Sequence, residues 1–272
     1  MNNGRKTLSW KAEKHFGMAL GRMNLPLLNV RDFLDIPSFD ALEIPAECFD
    51  ASASDLLRKL NPARFSCVHC GSILERRLCR NVPYCGKALR EEFIHEAGRV
   101  LERIASVSPV RTAAFGCGMN TVLENEEASR NAEEIIRKLS PMLLRRGMTL
   151  LLPFRVPSQT DVRPEDMMRF LRNCLVPPVK VCLEIHPHEL PRDFSPPEYA
   201  GLLRFETQSV MFVYDADSGN RLVPGHILPW IEYLDPVGMD GPFFSCPQSQ
   251  DQRMSVPEAD SFAKFVSRLR SP

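Results

Sequence analysis

The segment VKVCLEIHPHEL, residues 179–190, brings together four side chains that can act as acids, bases or metal ligands. An apolar run of strand length leads to Glu184, and His186, His188 and Glu189 follow directly. Carboxylates and imidazoles transfer protons near neutral pH, and both bind divalent cations. A buried strand that ends in such groups predicts an acid–base site or a metal site where the strand meets its loop.

Several other predicted strands give way to polar side chains at the same end, namely Glu43, His69, Arg155, Tyr214, Asp215 and Asp217. If the strands are parallel, these ends lie at one edge of the sheet, and the side chains approach one another there. The elements that would position them therefore decide whether a site exists.

Apolar segments of strand length alternate with longer segments of helical period, which is typical of a parallel α/β fold. The predicted strands are residues 15–23, 39–45, 64–70, 112–116, 148–154, 179–185, 209–214 and 242–246. The predicted helices are residues 52–60, 90–107, 124–146, a helix that begins at Pro164, 197–203, 227–234 and 256–269. Eight strand–helix units predict a single domain over residues 1–272, a closed (β/α)₈ TIM barrel with its active site at the carboxyl ends of the strands.

An open doubly wound sheet is the alternative fold. Such a sheet usually carries a glycine-rich phosphate loop after its first strand, and LGRMNLPLLN has no GxGxxG pattern. The closed barrel is therefore the preferred prediction.

Four stretches resemble the xylose-isomerase-like TIM barrels, a family that includes sugar-phosphate isomerases and epimerases and metal-dependent apurinic endonucleases. FDALEIP is similar to the family's second strand ending in Glu, and ENEEASRNAEEIIRKLSPMLLRRGMTLLLPF is similar to its fourth helix and fifth strand. VKVCLEIHPH is similar to a sixth strand followed by His, and FVYDADSGNRLVPGH to a seventh strand with a polar loop. The resemblance covers roughly residues 39–234 and implies the barrel fold.

The resemblance also implies one divalent cation, Mn, Co, Zn or Mg, held by a Glu on the fifth strand, acidic and His residues on the sixth and seventh, and a Glu on the eighth. Here the fifth strand ends at Arg155, FFSCPQ on the eighth has no carboxylate, and Tyr214 stands where a His is expected on the seventh. The remaining candidate metal ligands are Glu184, His186, His188 and Asp217. This set is an incomplete cage for a divalent cation.

The candidate catalytic residues are Glu184 as base or ligand, His188 as proton carrier, and Glu43 as acceptor for a substrate hydroxyl. The candidate substrate-binding residues are His69, Arg155 and Tyr214. A guanidinium at Arg155 suits a carboxylate or phosphate group, because its planar donors bind such groups in pairs. Each residue also has a structural interpretation. The sequence leaves open an ion pair of Glu184 with an arginine such as Arg155, solvated histidines, a strand cap at His69 and an ordinary turn over DADSGN.

Composition restricts the class of partner. The chain has 34 basic and 34 acidic residues, so no overall field attracts nucleic acid or an anionic membrane. No apolar run is long enough for a membrane span, and MNNGRKTLSWKAEKHFG lacks the apolar segment of a signal peptide, so a cytoplasmic location is expected. The nine cysteines predict reduced thiols, and CVHC at residues 67–70 is interpreted as structural rather than as half of a redox or zinc site.

These observations predict an isomerase- or epimerase-like enzyme that acts on a small carbohydrate or anionic derivative by proton transfer. In that chemistry a carboxylate removes a proton beside a carbonyl, and a metal or a cationic group stabilises the enediolate. The alternative is a barrel that has lost catalysis and serves as a binding or scaffold protein. The missing carboxylates on the fifth and eighth strands favour that alternative.

Overall fold

The computed structural model describes residues 14–20, 38–49, 65–106, 110–174, 178–239, 241–248 and 255–270. The helix predicted at residues 52–60 lies outside this part of the chain. Eight parallel strands pair in chain order and close into a barrel, with the first strand bonded to the last. The predicted (β/α)₈ barrel is confirmed, and the open doubly wound sheet is excluded.

The strands are β1 Phe16–Ala19, β2 Ala41–Ile44, β3 Cys67–Cys70, β4 Val110–Ala114, β5 Thr149–Val156, β6 Val179–Ile185, β7 Thr207–Asp215 and β8 Phe243–Gln248. The α-helices of the described residues are α1 Arg76–Asn81, α2 Lys87–Ala105, α3 Met119–Leu123, α4 Glu126–Arg146, α5 Pro164–Cys174, α6 Pro196–Ala200, α7 Pro224–Leu234 and α8 Ser255–Arg270. Short 3₁₀ turns follow several of them, and one, Pro187–Glu189, directly follows β6. The helix predicted over residues 124–146 is confirmed as α4, and the short helix α3 that precedes it was not predicted.

Alternate residues of the strands belong to two different apolar layers. One small cluster consists of Ala19, Ala41, Ala114, Leu151, Cys182, Met211, Val213, Phe244 and Cys246. The other strand residues join the larger cluster that includes the helices. Because successive strand side chains point to opposite faces, the small cluster is the barrel interior and the large one is the layer between barrel and helices.

The helix α4 shows how local sequence fixes an element that frames the site. The side chain of Asn125 accepts a hydrogen bond from the amide of Ala128 at 2.9 Å and caps the first turn. Acidic residues lie in the first turn, basic residues lie in the last, and Gly147 ends the helix with φ 60°. The charges match the helix dipole, and Gly147 is a left-handed C-terminal cap. The helix α4 therefore ends at a defined residue, shortly before β5 begins.

No described helix combines the length and the apolar character that crossing a membrane requires. Eight of the nine cysteines have described side chains, and each of these, including Cys67 and Cys70, carries a thiol rather than a disulfide. The Sγ of Cys70 donates to the carbonyl of Ser72 at 3.0 Å, a contact that fits the structural interpretation of CVHC.

Candidate active site

A pocket of about 330 Å³ opens at the carboxyl ends of the central strands. Its described lining consists of Arg76, Arg80, Tyr84, Gly116, Cys117, Gly118, Thr121, Pro153 and Glu184. Glu184 lies two residues beyond Cys182, an interior residue of β6, so its side chain faces the same interior side at the mouth. The structure therefore places one sequence-predicted catalytic residue, Glu184, in a cavity at the end of the barrel where TIM-barrel active sites lie.

Two further titratable side chains of the described pocket lining, Cys117 and Tyr84, are neutral at physiological pH. Burial raises the pKa of the Cys117 thiol to about 12, so this group stays protonated. Burial also raises the pKa of Tyr84, with smaller contributions from Cys117 and Glu124, and the Tyr84 hydroxyl donates to the carbonyl of Thr121 at 3.1 Å. Glu184 is consequently the only carboxylate among the described residues that line the pocket.

Arg155 forms a separate network beside the pocket. Its Nη2 donates to both carboxylate oxygens of Glu189, at 2.5 and 2.6 Å, and its Nη1 lies 2.7 Å from Nε2 of His186. Since a guanidinium can only donate, Nε2 of His186 accepts and is unprotonated. The lone pair that a metal would use on Nε2 is therefore directed at Arg155. The sequence left open an ion pair between Glu184 and Arg155. In the structure Arg155 pairs with Glu189.

Asn120 on α3 joins this network to the pocket wall. Its Oδ1 accepts from the backbone amide of Arg155 at 2.7 Å, and its Nδ2 donates to the carbonyl of Arg155 at 3.2 Å and to Oγ of Ser158 at 3.0 Å. The neighbouring Thr121 lines the pocket. One buried amide thus connects the end of β5 to the helix that borders the cavity.

Three buried polar side chains form a row inside the barrel on β2, β3 and β4. Glu43 is paired in register with His69, and His69 with Thr112, and the three are 2%, 4% and 3% exposed. The His69 ring packs edge-on against Phe244 at 5.2 Å, and burial lowers the pKa of His69 to about 3, so the ring is neutral. Within the described part of the chain, Nδ1 of His69 and Oγ1 of Thr112 have no hydrogen-bond partner.

The other sequence candidates lie away from the pocket. His188 is exposed at the rim, with its ring 4.8 Å from that of His226. Tyr214 points to the helix side of the sheet, where its hydroxyl lies 3.1 Å from Oγ of Ser245. Asp215 accepts from the amides of Asp217 and Ser218, which makes DADSGN an ordinary turn, and Asp217 is exposed on that turn.

The donors of the described residues do not fit a divalent cation. The predicted ligands Glu184, His186, His188 and Asp217 do not converge, and the described residues contain no group of three or more His, Cys, Asp or Glu that could hold a metal ion. Arg155 places a positive charge beside the position of Glu184 in the register of β5 and β6. A cation there would meet a guanidinium instead of a further carboxylate.

The sequence interpretation did not include the two pocket arginines, Arg76 and Arg80. They lie on α1, which has only six residues and is too short to show a helical period. Two signals were present: the spacing of arginines in ERRLCRN and the two glycines of FGCGMN after β4.

No family model and no curated protein matches this chain. Among solved structures, D-psicose 3-epimerase of Clostridium cellulolyticum H10, with D-tagatose, superposes with a TM-score of 0.70 at 15% identity, over 95% of this chain and 100% of that chain. An AP endonuclease of family 2 from Brucella melitensis gives 0.67 at 17% identity, over 93% and 99%.

A xylose-isomerase-like TIM barrel protein from Mycobacterium smegmatis, in complex with magnesium, gives a TM-score of 0.57 at 14% identity, over 97% of this chain and 99% of that chain. Several further structural neighbours are sugar epimerases. At these identities the likeness concerns the fold. The chain therefore has the fold of the xylose-isomerase-like TIM barrels, as a divergent example.

Proposed function

We propose that this protein is an isomerase- or epimerase-like enzyme that acts on a small carbohydrate derivative by proton transfer. The observation that carries the proposal is the placement of Glu184 as the sole carboxylate among the described lining residues of the mouth pocket. The pocket volume of about 330 Å³ is at the lower end of the range for small-ligand sites, about 300–1,000 Å³. Solved structural neighbours with D-tagatose and D-fructose support a ligand of this size.

In the proposed reaction Glu184 removes a proton from a carbon beside the substrate carbonyl. The resulting enediolate carries negative charge, which the guanidinium groups of Arg76 and Arg80 stabilise from the pocket wall. The same carboxylate returns the proton to the neighbouring carbon while the hydroxyl proton passes from one oxygen of the enediolate to the other, so a single carbon base balances an aldose–ketose isomerisation. Epimerisation at one carbon needs a proton donor on the opposite face, and the neutral hydroxyl of Tyr84 is the described candidate for it.

A divalent cation enters no step of this proposal, because the described donors do not fit one. Glu43 and His69 remain predicted contributors from the barrel interior, where a substrate hydroxyl reaching below the mouth would meet them. His188 remains a predicted proton carrier, and its exposed position at the rim gives it access to solvent.

Proton exchange tests the proposal directly. Neutral and phosphorylated pentoses and hexoses incubated with the protein in D₂O should incorporate deuterium beside the carbonyl, detected by proton NMR. Glu184→Gln keeps the shape and removes the base, so exchange should fall by at least about 100-fold. Glu232→Gln, an exposed carboxylate on α7, is the matched control and should retain exchange. Equal exchange by the Glu184 and Glu232 variants would contradict the assignment.

A binding or scaffold protein is the second candidate. It is favoured by the Arg155–Glu189–His186 network, which satisfies charges at the strand ends within the chain itself. A barrel that binds a sugar in calorimetry yet exchanges no proton in D₂O would support this candidate over the enzyme.

A further inference from the structure

The barrel interior contains two neighbouring polar side chains without hydrogen-bond partners at one atom each. Thr112 and His69 are paired in the register of β3 and β4, and they are 3% and 4% exposed. Within the described part of the chain, Oγ1 of Thr112 and Nδ1 of His69 form no hydrogen bond. A buried polar atom without a partner destabilises the folded state, so such atoms are uncommon in native proteins. The pair therefore indicates a partner that comes from outside the chain.

A shift in the register of β3 and β4 turns the Thr112 side chain into the barrel. The shift lies between Val110 and Thr112, so Arg111 has no counterpart on β3. In a regular strand Thr112 would share the face of Val110, which belongs to the layer between barrel and helices. The irregularity reverses the alternation, and Thr112 faces the interior together with Ala114. Bulges of this kind redirect side chains and are frequent next to active sites.

Small residues connect the pair to the mouth pocket along both strands. On β4 the next interior residue after Thr112 is Ala114, and Gly116, two residues further, lines the pocket. On β3 the strand ends one residue after His69, and Gly71 follows without a side chain. A ligand in the pocket therefore approaches Thr112 and His69 past a methyl group and two glycines.

We propose that Thr112 and His69 bind one hydroxyl group of a sugar that enters from the mouth pocket, and that they select for sugars which carry this hydroxyl. The class of ligand rests on the proposed function, whereas the site itself rests on the geometry of β3 and β4. Without the ligand hydroxyl both polar atoms stay unpaired, so a site of this kind discriminates strongly against a deoxy analogue.

The chemistry of the pair suits a neutral hydroxyl group better than an ion. The Thr112 hydroxyl donates and accepts hydrogen bonds, and a neutral imidazole donates at one ring nitrogen and accepts at the other. Burial lowers the pKa of His69 to about 3, so the ring carries no charge that would offset the burial of an anion. A sugar hydroxyl also donates and accepts, so it is complementary to either tautomer of His69. Neighbouring strands are about 4.8 Å apart, so one oxygen atom can bond both side chains.

Ser209 on β7 provides a matched control. Its side chain is 0% exposed, and its Oγ also has no hydrogen-bond partner within the described residues. Two interior residues, Met211 and Val213, follow it on the same face of β7 and separate it from the mouth. Removal of the Ser209 hydroxyl therefore deletes a buried polar group without deleting a sugar contact.

The experiment measures sugar binding by calorimetry, which requires no turnover, with thermal unfolding as a second readout. The ligands are D-fructose, D-tagatose and the monodeoxy analogues of each. The proteins are the wild type, Thr112→Val, Thr112→Ser and Ser209→Ala. Thr112→Val keeps the shape of the side chain and removes the hydroxyl, whereas Thr112→Ser keeps the hydroxyl and removes the methyl group.

The wild type should bind a parent ketose at least about tenfold more tightly than one of its monodeoxy analogues, the effect expected for a buried hydrogen bond. Thr112→Val should lose a similar factor for the parent ketose and little for that analogue, and this coupling identifies the two hydroxyl groups in contact. Thr112→Ser and Ser209→Ala should retain the preference of the wild type. Without ligand, the Tm of Thr112→Val should equal or exceed that of the wild type, because an unpaired buried hydroxyl is removed.

Equal affinities in Thr112→Val and Ser209→Ala would overturn the hydroxyl site, as would a wild type that binds neither ketose. A ligand-free Thr112→Val that unfolds at a lower Tm than the wild type would also overturn it, because the hydroxyl would then have a partner in the chain. The outcome is separable from the proposed function. Proton exchange in D₂O without this coupling would leave the enzyme proposal standing and remove the hydroxyl site. Coupling in calorimetry without exchange on any sugar would do the opposite.

Discussion

The barrel mouth has two regions in which arginine side chains have different surroundings. In the closed region, at the ends of β5 and β6, Arg155 bonds Glu189 and His186. In the open region, formed by α1 and the Gly116–Gly118 loop, Arg76 and Arg80 face a cavity. The comparison shows that the turn after β6 supplies a counter-charge to Arg155, whereas Arg80 has no ion pair within the described part of the chain. The neighbouring segments, more than the arginine, decide its role.

The difference arises in the segment that follows each strand. After β6 the turn Pro187–Glu189 carries an acidic residue back toward the neighbouring strand, and Arg155 bonds it. After β3 the chain forms α1, whose six residues RRLCRN contain no acid. The turn after β6 therefore supplies an acid to the mouth, and α1 supplies none.

The largest expected effect separates two glycines of the open region. Gly116→Ala places a Cβ against Oγ of Ser72 at a positive φ and should reduce the free energy of unfolding by about 3 kcal/mol. Gly118→Ala meets no atom within 4 Å at negative φ and should change it by less than about 0.5 kcal/mol. Urea unfolding measures both. Similar losses in the two variants would show that the loop does not have this backbone conformation.

The second effect concerns the buried row behind the open region. Burial lowers the pKa of His69 from 6.5 to about 3, so between these pH values the unfolded state binds a proton that the folded state does not. The free energy of unfolding should therefore fall as pH falls through this window, by up to about 1.4 kcal/mol per pH unit from this group.

His69→Gln removes the titrating group, so the pH dependence of urea unfolding should become shallower across this window. His95→Gln changes an exposed histidine on α2 and is the control. Equal slopes in the wild type and His69→Gln would refute the buried neutral state of this ring.

A smaller effect is expected in the closed region. The pair of Arg155 and Glu189 is partly exposed, with side chains 22% and 41% accessible, so Glu189→Gln should cost about 1 kcal/mol. The same change should convert the closed region into an open one. Phosphate should then raise the Tm of Glu189→Gln more than that of the wild type, and Arg155→Ala in the same background should remove the increment. If phosphate acts equally on both proteins, local counter-charge is not what distinguishes the regions.

The smallest effect lies at the rim, where burial and the neighbouring His188 lower the pKa of His226. His188→Ala removes the second cause, so the pKa of His226 should rise toward 6.5 and remain below it, because burial is the larger cause. Below pH 6.5 the free energy of unfolding should therefore fall less steeply with pH in His188→Ala than in the wild type. An NMR titration of the His226 ring measures the shift. If His188→Ala lost as much deuterium exchange on sugars as Glu184→Gln, His188 would take part in proton transfer.

The sequence predicted the parts of the molecule that depend on periodicity. Alternating strands and helices predicted the barrel, and the end of β6 led to Glu184, which lines the pocket. The partner of Arg155 was not predictable, because Glu189 is 34 residues away and reaches it only through the register of two strands. The arginines of α1 were missed because six residues give no periodic signal. Whether the predicted metal ligands meet at one point depends on the directions of their side chains, and residue spacing alone does not specify these directions.

The side chain of Asn120 has a further consequence. β4 ends at Ala114, whereas β5 continues to Val156, so the last residues of β5 would have an exposed edge on that side. The amide of Asn120 resembles a peptide group, and it alone bonds both the N–H and the C=O of Arg155, whereas a longer parallel β4 would use two residues for these bonds. The Arg155 amide should thus exchange its hydrogen slowly for a strand end, and a ligand that steadies α3 should slow this exchange further. The exchange rate of this one amide would then report the filling of the cavity from outside it.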